Sequence, residues 1–338
     1  MSNLVLFFRK RYPTAFSIER LFEQLSSVFT EKGTEVKSEE LPLYNNSLSN
    51  VWRNLRWARA RVQKGVEKPA RVSHITGDVN SIIFGLSGPT VITIHDCNPL
   101  LRYAPSHPRY WFYRWLIFEW PARKAAAVTV ISEKTRSELL ELTNCPADKI
   151  RVIPNFVDPS FTYQPRTFNE SYPTILQIGV KQNKNLARLA QALKGIPCRL
   201  EIVGQPSPED EAELIRNEID FHWTSGISDE EIRRRYTDCD LLAFVSTYEG
   251  FGLPILEAQM TGRPVVTSDL SPHKEVAAPG GAELVDPTNV TSIRTGILNV
   301  IRSATHREAL IKSGRENAQR YHIQTVASQY LDLYEELS

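Results

Sequence analysis

Cysteine is scarce in this 338-residue chain, and its four copies, Cys97, Cys145, Cys198 and Cys239, stand at no metal or redox spacing. That excludes a disulfide scaffold and points to buried thiols in a reducing, cytoplasmic compartment. Long apolar runs are also missing. The nearest, Trp111 to Trp120, contains Arg114 and Glu119 and falls well short of the roughly 18 residues that span a bilayer, so no transmembrane helix is expected. Met1 to Phe8 is apolar, but Arg9, Lys10 and Arg11 follow at once without a small-residue cleavage site, which reads as a strand and not a signal peptide. No Gly-x-Gly-x-x-Gly follows any early strand, which removes a nicotinamide-dependent dehydrogenase. No Pro/Gly/Ser tract is long enough to suggest disorder. The net charge of +1 leaves no overall excess of either sign, yet it hides an asymmetry. Residues 1–165 hold 22 Lys/Arg against 15 Asp/Glu, and the remainder 18 against 24.

What is present is alternation. Apolar strand candidates, Leu4–Phe8, Val72–Ile75, Thr90–Ile94, Ala127–Ile131 and Ile150–Ile153, are separated by helical stretches such as Ile18–Thr30 and Tyr110–Ala125. The pattern restarts with Thr174–Gly179, Arg199–Val203, Asp240–Val245, Val265–Thr267 and Glu283–Val285. Pro154 to Tyr172 holds three prolines and little periodicity, and is the natural linker. The expected architecture is α/β, with two doubly wound, Rossmann-like domains: 1–165, then 166–320, then a C-terminal helix over 321–338. Ligands of such sheets sit beyond the carboxyl ends of the strands, so the site is expected in the cleft between two domains.

One segment after a strand concentrates the chemistry: Ser246-Thr-Tyr-Glu249-Gly-Phe-Gly-Leu-Pro-Ile-Leu-Glu257. Gly250 and Gly252 permit a tight turn, and Pro254 suits a first helical turn. The orphan N–H groups and partial positive charge of a helix start make an anion cradle able to take a diphosphate without a metal. Glu249 and Glu257 are eight residues apart, too far to share one proton, so they serve different parts of one ligand. A carboxylate accepts from two vicinal hydroxyls, which suits a ribose or a hexose. The plain alternative is a loop charge and a helix-dipole acid.

With its Gly-Phe-Gly-Leu-Pro interior, this segment resembles the Glu-x7-Glu signature of retaining glycosyltransferase family 4, enzymes of the GT-B fold. Gly262-Arg-Pro-Val-Val-Thr-Ser-Asp, Ser271-Pro-His-Lys-Glu-Val-Ala and Val285-Asp-Pro follow in that family's order. The resemblance implies a nucleotide-sugar donor, with Glu249 on the sugar, Glu257 on the ribose, and Gly250, Phe251, Gly252 and Leu253 around the phosphates. Leu176-Gln-Ile-Gly179-Val-Lys181-Gln-Asn-Lys184 looks like the family's first donor-domain strand and turn. Either Lys181 or Lys184 would face the diphosphate, and Lys184, at the helix start, is favoured. Gly204, and Gly226 with Ile227, would line the nucleobase, although Ser228 and Glu231 also read as a capping box. Thr93-Ile-His95-Asp96 resembles the family's His-Asp element and would bring His95 to the donor sugar. The C-terminal helix would cross back to the first domain.

The acceptor side is less familiar. Arg9 to Glu19 replaces a glycine-rich loop, and only Ser17-Ile-Glu is of the usual kind. Arg9 and Arg11 either bind an anionic acceptor or are surface charge, and Asp78 and Asp96 lie on neighbouring loops. Asp238-Cys-Asp240 imitates a metal-binding Asp-x-Asp but precedes a buried strand, and no metal or cofactor is expected. Trp52 to Arg71 carries seven Lys/Arg and one Glu, and with the aromatic Trp111 to Trp120 it could meet nucleic acid or membrane; the aromatics read first as a helix packed on a sheet, and the basic run points to anionic lipid headgroups or a charged acceptor. The reading is retaining, metal-independent transfer to a carbohydrate or lipid-linked acceptor, of the kind that builds cell-surface glycans, in the cytoplasm with peripheral contact at the inner face of the membrane. A nucleotide-sugar epimerase, a phosphorylase or a noncatalytic sugar-nucleotide module on the same fold are the rivals.

Overall fold

The computed structural model describes residues 3–11, 17–44, 47–63 and 72–338. Much of the expected Arg9–Glu19 loop, and residues 64–71 of the basic stretch, lie outside the described residues. Two compact units result: residues 1–155 with 323–338, and residues 156–322. The division falls at Asn155/Phe156 and not at 165/166, because the following residues pack with the second unit. Val157 N–H donates to Tyr321 O at 2.9 Å, and Phe161 meets the buried Tyr236 edge-on at 5.3 Å.

The first unit is one parallel sheet of β1 (Asn3–Phe8), β2 (Glu35–Glu40), β3 (Val72–Ile75), β4 (Thr90–Ile94), β5 (Ala127–Val130) and β6 (Ile150–Val152), in the order β2-β1-β3-β4-β5-β6. Strand order reverses between β1 and β3, and the loops leaving those strands open a crevice there. β2 has no counterpart among the expected strands. It is an edge strand of sequence EVKSEE with one buried residue, so it lacks the apolar, β-branched run that marks β4 and β5.

The expected helix over 110–125 is present but contains a π-turn, Tyr113–Glu119, between helical pieces Pro108–Phe112 and Trp120–Lys124. Pro121 supplies no N–H to Ile117 O, and the buried Asn80 amide donates to that carbonyl instead at 3.0 Å.

The C-terminal helix Ile323–Glu336 is part of the first unit and packs on helix Ser17–Glu31. Its Tyr334 hydroxyl lies 2.6 Å from His74 Nδ1, while His74 Nε2 lies 2.7 Å from Thr93 Oγ1. Burial, and then the nearby His95, push the His74 pKa down to about 3. A folded-state value below the unfolded 6.5 means that the unfolded chain binds the proton first. Stability is therefore complete above pH 6.5 and is lost as pH falls towards 3. At about 1.4 kcal/mol per pH unit, roughly 2 kcal/mol should disappear between pH 7 and pH 5. Denaturant midpoints measured across that window check this, and His74→Gln should flatten the dependence.

The second unit holds β7 (Thr174–Ile178), β8 (Arg199–Val203), β9 (Asp220–Thr224), β10 (Leu241–Phe244), β11 (Val265–Ser268) and β12 (Glu283–Val285), all parallel, in the order β12-β11-β10-β7-β8-β9. This is the doubly wound Rossmann arrangement, with its switch point between β7 and β10. The unexpected strand is again an edge: β9 reads DFHWT and buries none of its residues. Helix Asp229–Asp238 opens with the expected capping box of Ser228 and Glu231.

Candidate active site

The two loops that flank the switch point of the second unit carry the residues singled out by sequence. After β7 the chain turns at Gly179, whose φ is +84°, and a Cβ there would meet Lys184 Cε at 2.9 Å. A short 3-10 turn, Gln182–Lys184, follows, and Asn185 at φ 63° starts helix Leu186–Leu193. Asn185 tolerates that conformation because its amide is anchored to Val245 O at 3.0 Å and Pro287 O at 2.7 Å. After β10, Glu249 precedes Gly252, which has φ 119° and caps helix Leu253–Thr261.

These loops are stitched together. Thr247 N–H donates to Asn183 O at 2.8 Å, and the Asn183 amide donates to Tyr248 O at 2.8 Å and Glu249 Oε1 at 3.3 Å. Lys184 Nζ lies 2.6 Å from Glu249 Oε1 and 4.5 Å from the centre of the Phe244 ring. Both side chains are about five-sixths buried, with 17% and 16% exposed. A flexible cation, a carboxylate and the N-terminus of a nine-residue helix thus converge at a strand-end crevice. Such a set can take up a dianion and a polyol together. Lys181, by contrast, is exposed and lines a separate cavity of about 750 Å³ with Arg188, Ser207 and Asp210.

Glu257 sits one turn further along the same helix. Its Oε2 accepts from the Tyr236 hydroxyl at 2.5 Å, and burial followed by the Glu257 charge holds the tyrosine pKa well above its ordinary value. Nothing in the charged sequence around Tyr236 signals this contact; nor does sequence reveal the Asn183 and Asn185 anchors. Phe251 is buried edge-on against Tyr321, 5.9 Å between ring centres, so it supports the loop from behind. Gly204 and Gly226, both at positive φ, and the half-buried Ile227 occupy the loops after β8 and β9. Gly204 lies close to Val180, 3.1 Å from an added Cβ to both methyls, whereas Gly226 is open.

In the first unit, Arg9, Asp78 and Asp96 come together around a cavity of about 220 Å³ at the β1/β3 reversal, with Tyr44, Tyr113 and Asn80. Arg9 is already neutralised there: Nε reaches Glu19 at 2.6 Å and Nη1 reaches Asp78 at 3.1 Å. Arg11 stands apart, paired with Glu23 and Glu40. Ser17 begins its helix, and its side chain lies outside the described residues. Burial raises the Asp96 pKa, helped by the charge of Asp78. His95 is nearly buried and its Nε2 lies 2.8 Å from Thr76 O, an acceptor only. Neutral His95 therefore carries its proton on Nε2 and keeps a lone pair on Nδ1.

Asp240 faces inward and anchors the start of the second unit: it accepts from Arg166 Nε at 2.9 Å, Asn169 N–H at 3.2 Å and Thr174 N–H at 2.8 Å. Its carboxylate is fully engaged in holding β7 to the preceding chain.

Comparison with known proteins covers both units. Residues 6–161 match the model of Glycosyltransferase Family 4, and residues 162–317 that of Glycosyl transferases group 1. O-antigen chain mannosyltransferase B of Escherichia coli is 29% identical over 233 residues, covering 62% of this chain and 60% of that protein. The match therefore spans less than two thirds of the relative. A sucrose-phosphate synthase from Thermosynechococcus elongatus superposes with a TM-score of 0.81 at 18% identity, over 100% of this chain and 99% of the other. The HepE protein of Anabaena, in complex with UDP and glucose, gives 0.76 at 15% identity over 100% of both chains. With two parallel six-stranded sheets flanked by helices, and both family models matched in sequence, the chain belongs to the group 1, family-4-type glycosyltransferases of the GT-B fold.

Proposed function

We propose that the protein transfers a sugar, with retention and without a metal ion, from a nucleoside diphosphate sugar to a carbohydrate or lipid-linked acceptor in surface-glycan synthesis. The observation that carries this reading is the Lys184–Glu249 pair at the switch point beside the Gly252 helix start. Each partner answers one half of such a donor. The diphosphate draws Lys184 away from the carboxylate and takes the helix N–H groups; the released Glu249 accepts from the sugar hydroxyls. Glu257 accepts from the ribose, and the loops of Gly204, Gly226 and Ile227 hold the base. The mannosyltransferase relative and the UDP-bound HepE structure support a nucleotide-sugar donor and a glycan product.

In the step itself, the acceptor hydroxyl oxygen bonds to the anomeric carbon on the face from which the diphosphate oxygen leaves. The hydroxyl proton passes to that departing oxygen, and Lys184 and the helix dipole take up its charge. His95, its Nδ1 lone pair free of the Thr76 bond, accepts from a donor-sugar hydroxyl. The acceptor occupies the Arg9–Asp78–Asp96 cavity. With Arg9 held between two carboxylates, that cavity offers acceptors for neutral sugar hydroxyls more than a cation for an anionic group.

The test is release of nucleoside diphosphate from a panel of sugar nucleotides, with neutral and anionic glycoside acceptors, in EDTA. Release that needs an acceptor and survives EDTA is expected. Strict dependence on a divalent ion would refute the metal-free site, and sugar isomerisation without any acceptor would make the chain an epimerase.

A further inference from the structure

Four of the six tryptophans are exposed, and all four stand on the first unit: Trp52 at 65%, Trp111 at 37%, Trp115 at 42% and Trp120 at 48%. Among the described residues, the exposed large apolar side chains of that unit all fall between Leu48 and Trp120. All but Leu101 belong to three segments, the middle one of which packs against both others. Helix Leu48–Gln63 turns outward a stripe of Leu48, Trp52, Arg56 and Arg59, spaced at i, i+4, i+8 and i+11. Its backbone at Leu55 and Arg59 closes on Gly85 so tightly that an added Cβ would lie 2.7 Å from Leu55 O. Next to Gly85, the Phe84 ring lies 5.6 Å from Lys124 Nζ, which also donates to Ile83 O at 2.7 Å. One turn before Lys124 is Trp120, which stacks on Trp115 with ring centres 6.1 Å apart and planes 8° from parallel; Trp115 in turn meets Trp111 at 4.9 Å.

The charge on these segments is of one sign. Residues 48–63, 80–85 and 102–124 carry nine Lys/Arg and a single acid, Glu119. Glu119 is buried and paired with Arg114 and Arg123.

We infer that this face docks on an anionic lipid bilayer. Indole rings rimmed by guanidinium groups suit the headgroup layer, where the ring is sheltered and the cation meets phosphate. A single-stranded nucleic acid needs open ring faces for its bases. Here Trp115 and Trp120 lie parallel and offset, each partly shielding the other, and Leu48 has no part in binding phosphate. On the inner side of the same helical stretch, Tyr113, Ile117 and Phe118 line the Arg9–Asp78–Asp96 cavity. A bilayer on the outer side would bring a headgroup-borne acceptor within about one helix diameter, ~10 Å, of that cavity. That last link rests on the proposed acceptor site; docking itself does not.

The experiment is co-sedimentation of the full chain with vesicles of phosphatidylcholine alone or with about 30% phosphatidylglycerol. Binding is expected to the mixed vesicles only, and to weaken with salt. Reversing three charges in Arg53→Glu/Arg56→Glu/Arg59→Glu should reduce partitioning at least about tenfold. Trp115→Ala/Trp120→Ala should reduce it severalfold, while leaving retention on immobilised duplex DNA as in the unaltered chain. Both variants should melt as the parent does and turn over a water-soluble acceptor at the same rate, which separates failure of docking from failure of the transfer reading. Equal pelleting with both vesicle types, vesicle binding indifferent to both variants, or tighter binding to duplex DNA than to the mixed vesicles would overturn the inference.

Discussion

Replacing Glu249 with alanine should lower transfer by about 10²–10³-fold, the scale seen when one preorganised polar group is removed from a transition state, while leaving nucleoside diphosphate binding undiminished. The asymmetry follows from what Glu249 touches. Its Oε1 holds Lys184 at 2.6 Å and Asn183 at 3.3 Å. A diphosphate must compete with that carboxylate for the ammonium group, so removing the carboxylate frees Lys184 and should tighten nucleoside diphosphate binding up to severalfold. The sugar, however, loses its hydroxyl acceptor and its fixed orientation, and orientation is where bound reactants gain most. Calorimetry with the product nucleotide and turnover at saturating donor separate the two effects. Equal loss of both would show that Glu249 holds the nucleotide and not the sugar. Glu249→Gln should release Lys184 in the same way but retain part of the sugar contact, and so recover some of the rate.

Much of this site is legible in the sequence because backbone demands are written locally. Gly179, Gly204 and Gly252 all adopt positive φ, and each follows an apolar strand or opens a helix, so pattern and turn chemistry agree; Gly226, also at positive φ, follows the polar edge strand β9. The central strands are equally plain: buried on both faces, they read as runs of apolar and β-branched residues. The two strands without such a signal, β2 and β9, are edges whose residues face water and carry charges. Contacts between distant segments leave no local trace. Tyr236 sits alone among charged helix residues, yet it is fully buried 21 positions from the carboxylate it meets. Lys184 and Glu249 are recognisable one by one, but their pairing across 65 residues is created by the β7–β10 register, Leu241 beside Ile175. Arg9 shows the same limit from the other side. Its charge invites an anionic ligand in sequence, and Glu19 with Asp78 cancels it in the fold.

Glu257→Ala should do the reverse of Glu249→Ala: weaken nucleoside diphosphate binding by about 10²-fold, since a charge-assisted hydrogen bond contributes about 1.5–3 kcal/mol and a ribose offers two. At saturating donor, kcat should stay within a few fold of the parent. Alanine has a second consequence, because it strips the buried Tyr236 hydroxyl of its acceptor, and an unmet buried hydroxyl costs about 1–3 kcal/mol of stability. Tyr236→Phe separates the two roles. It leaves the carboxylate in place and removes the bond that aims it, so it should spare folding relative to Glu257→Ala and raise the nucleotide dissociation constant only severalfold. Thermal melting with and without nucleotide reads both quantities, because a ligand bound only by the folded state raises the midpoint in proportion to its affinity. If Tyr236→Phe weakened binding as much as Glu257→Ala, the tyrosine and not the glutamate would be the ribose partner. If neither weakened it, the ribose would lie elsewhere, and Glu257 would be simply the buried tyrosine's acceptor.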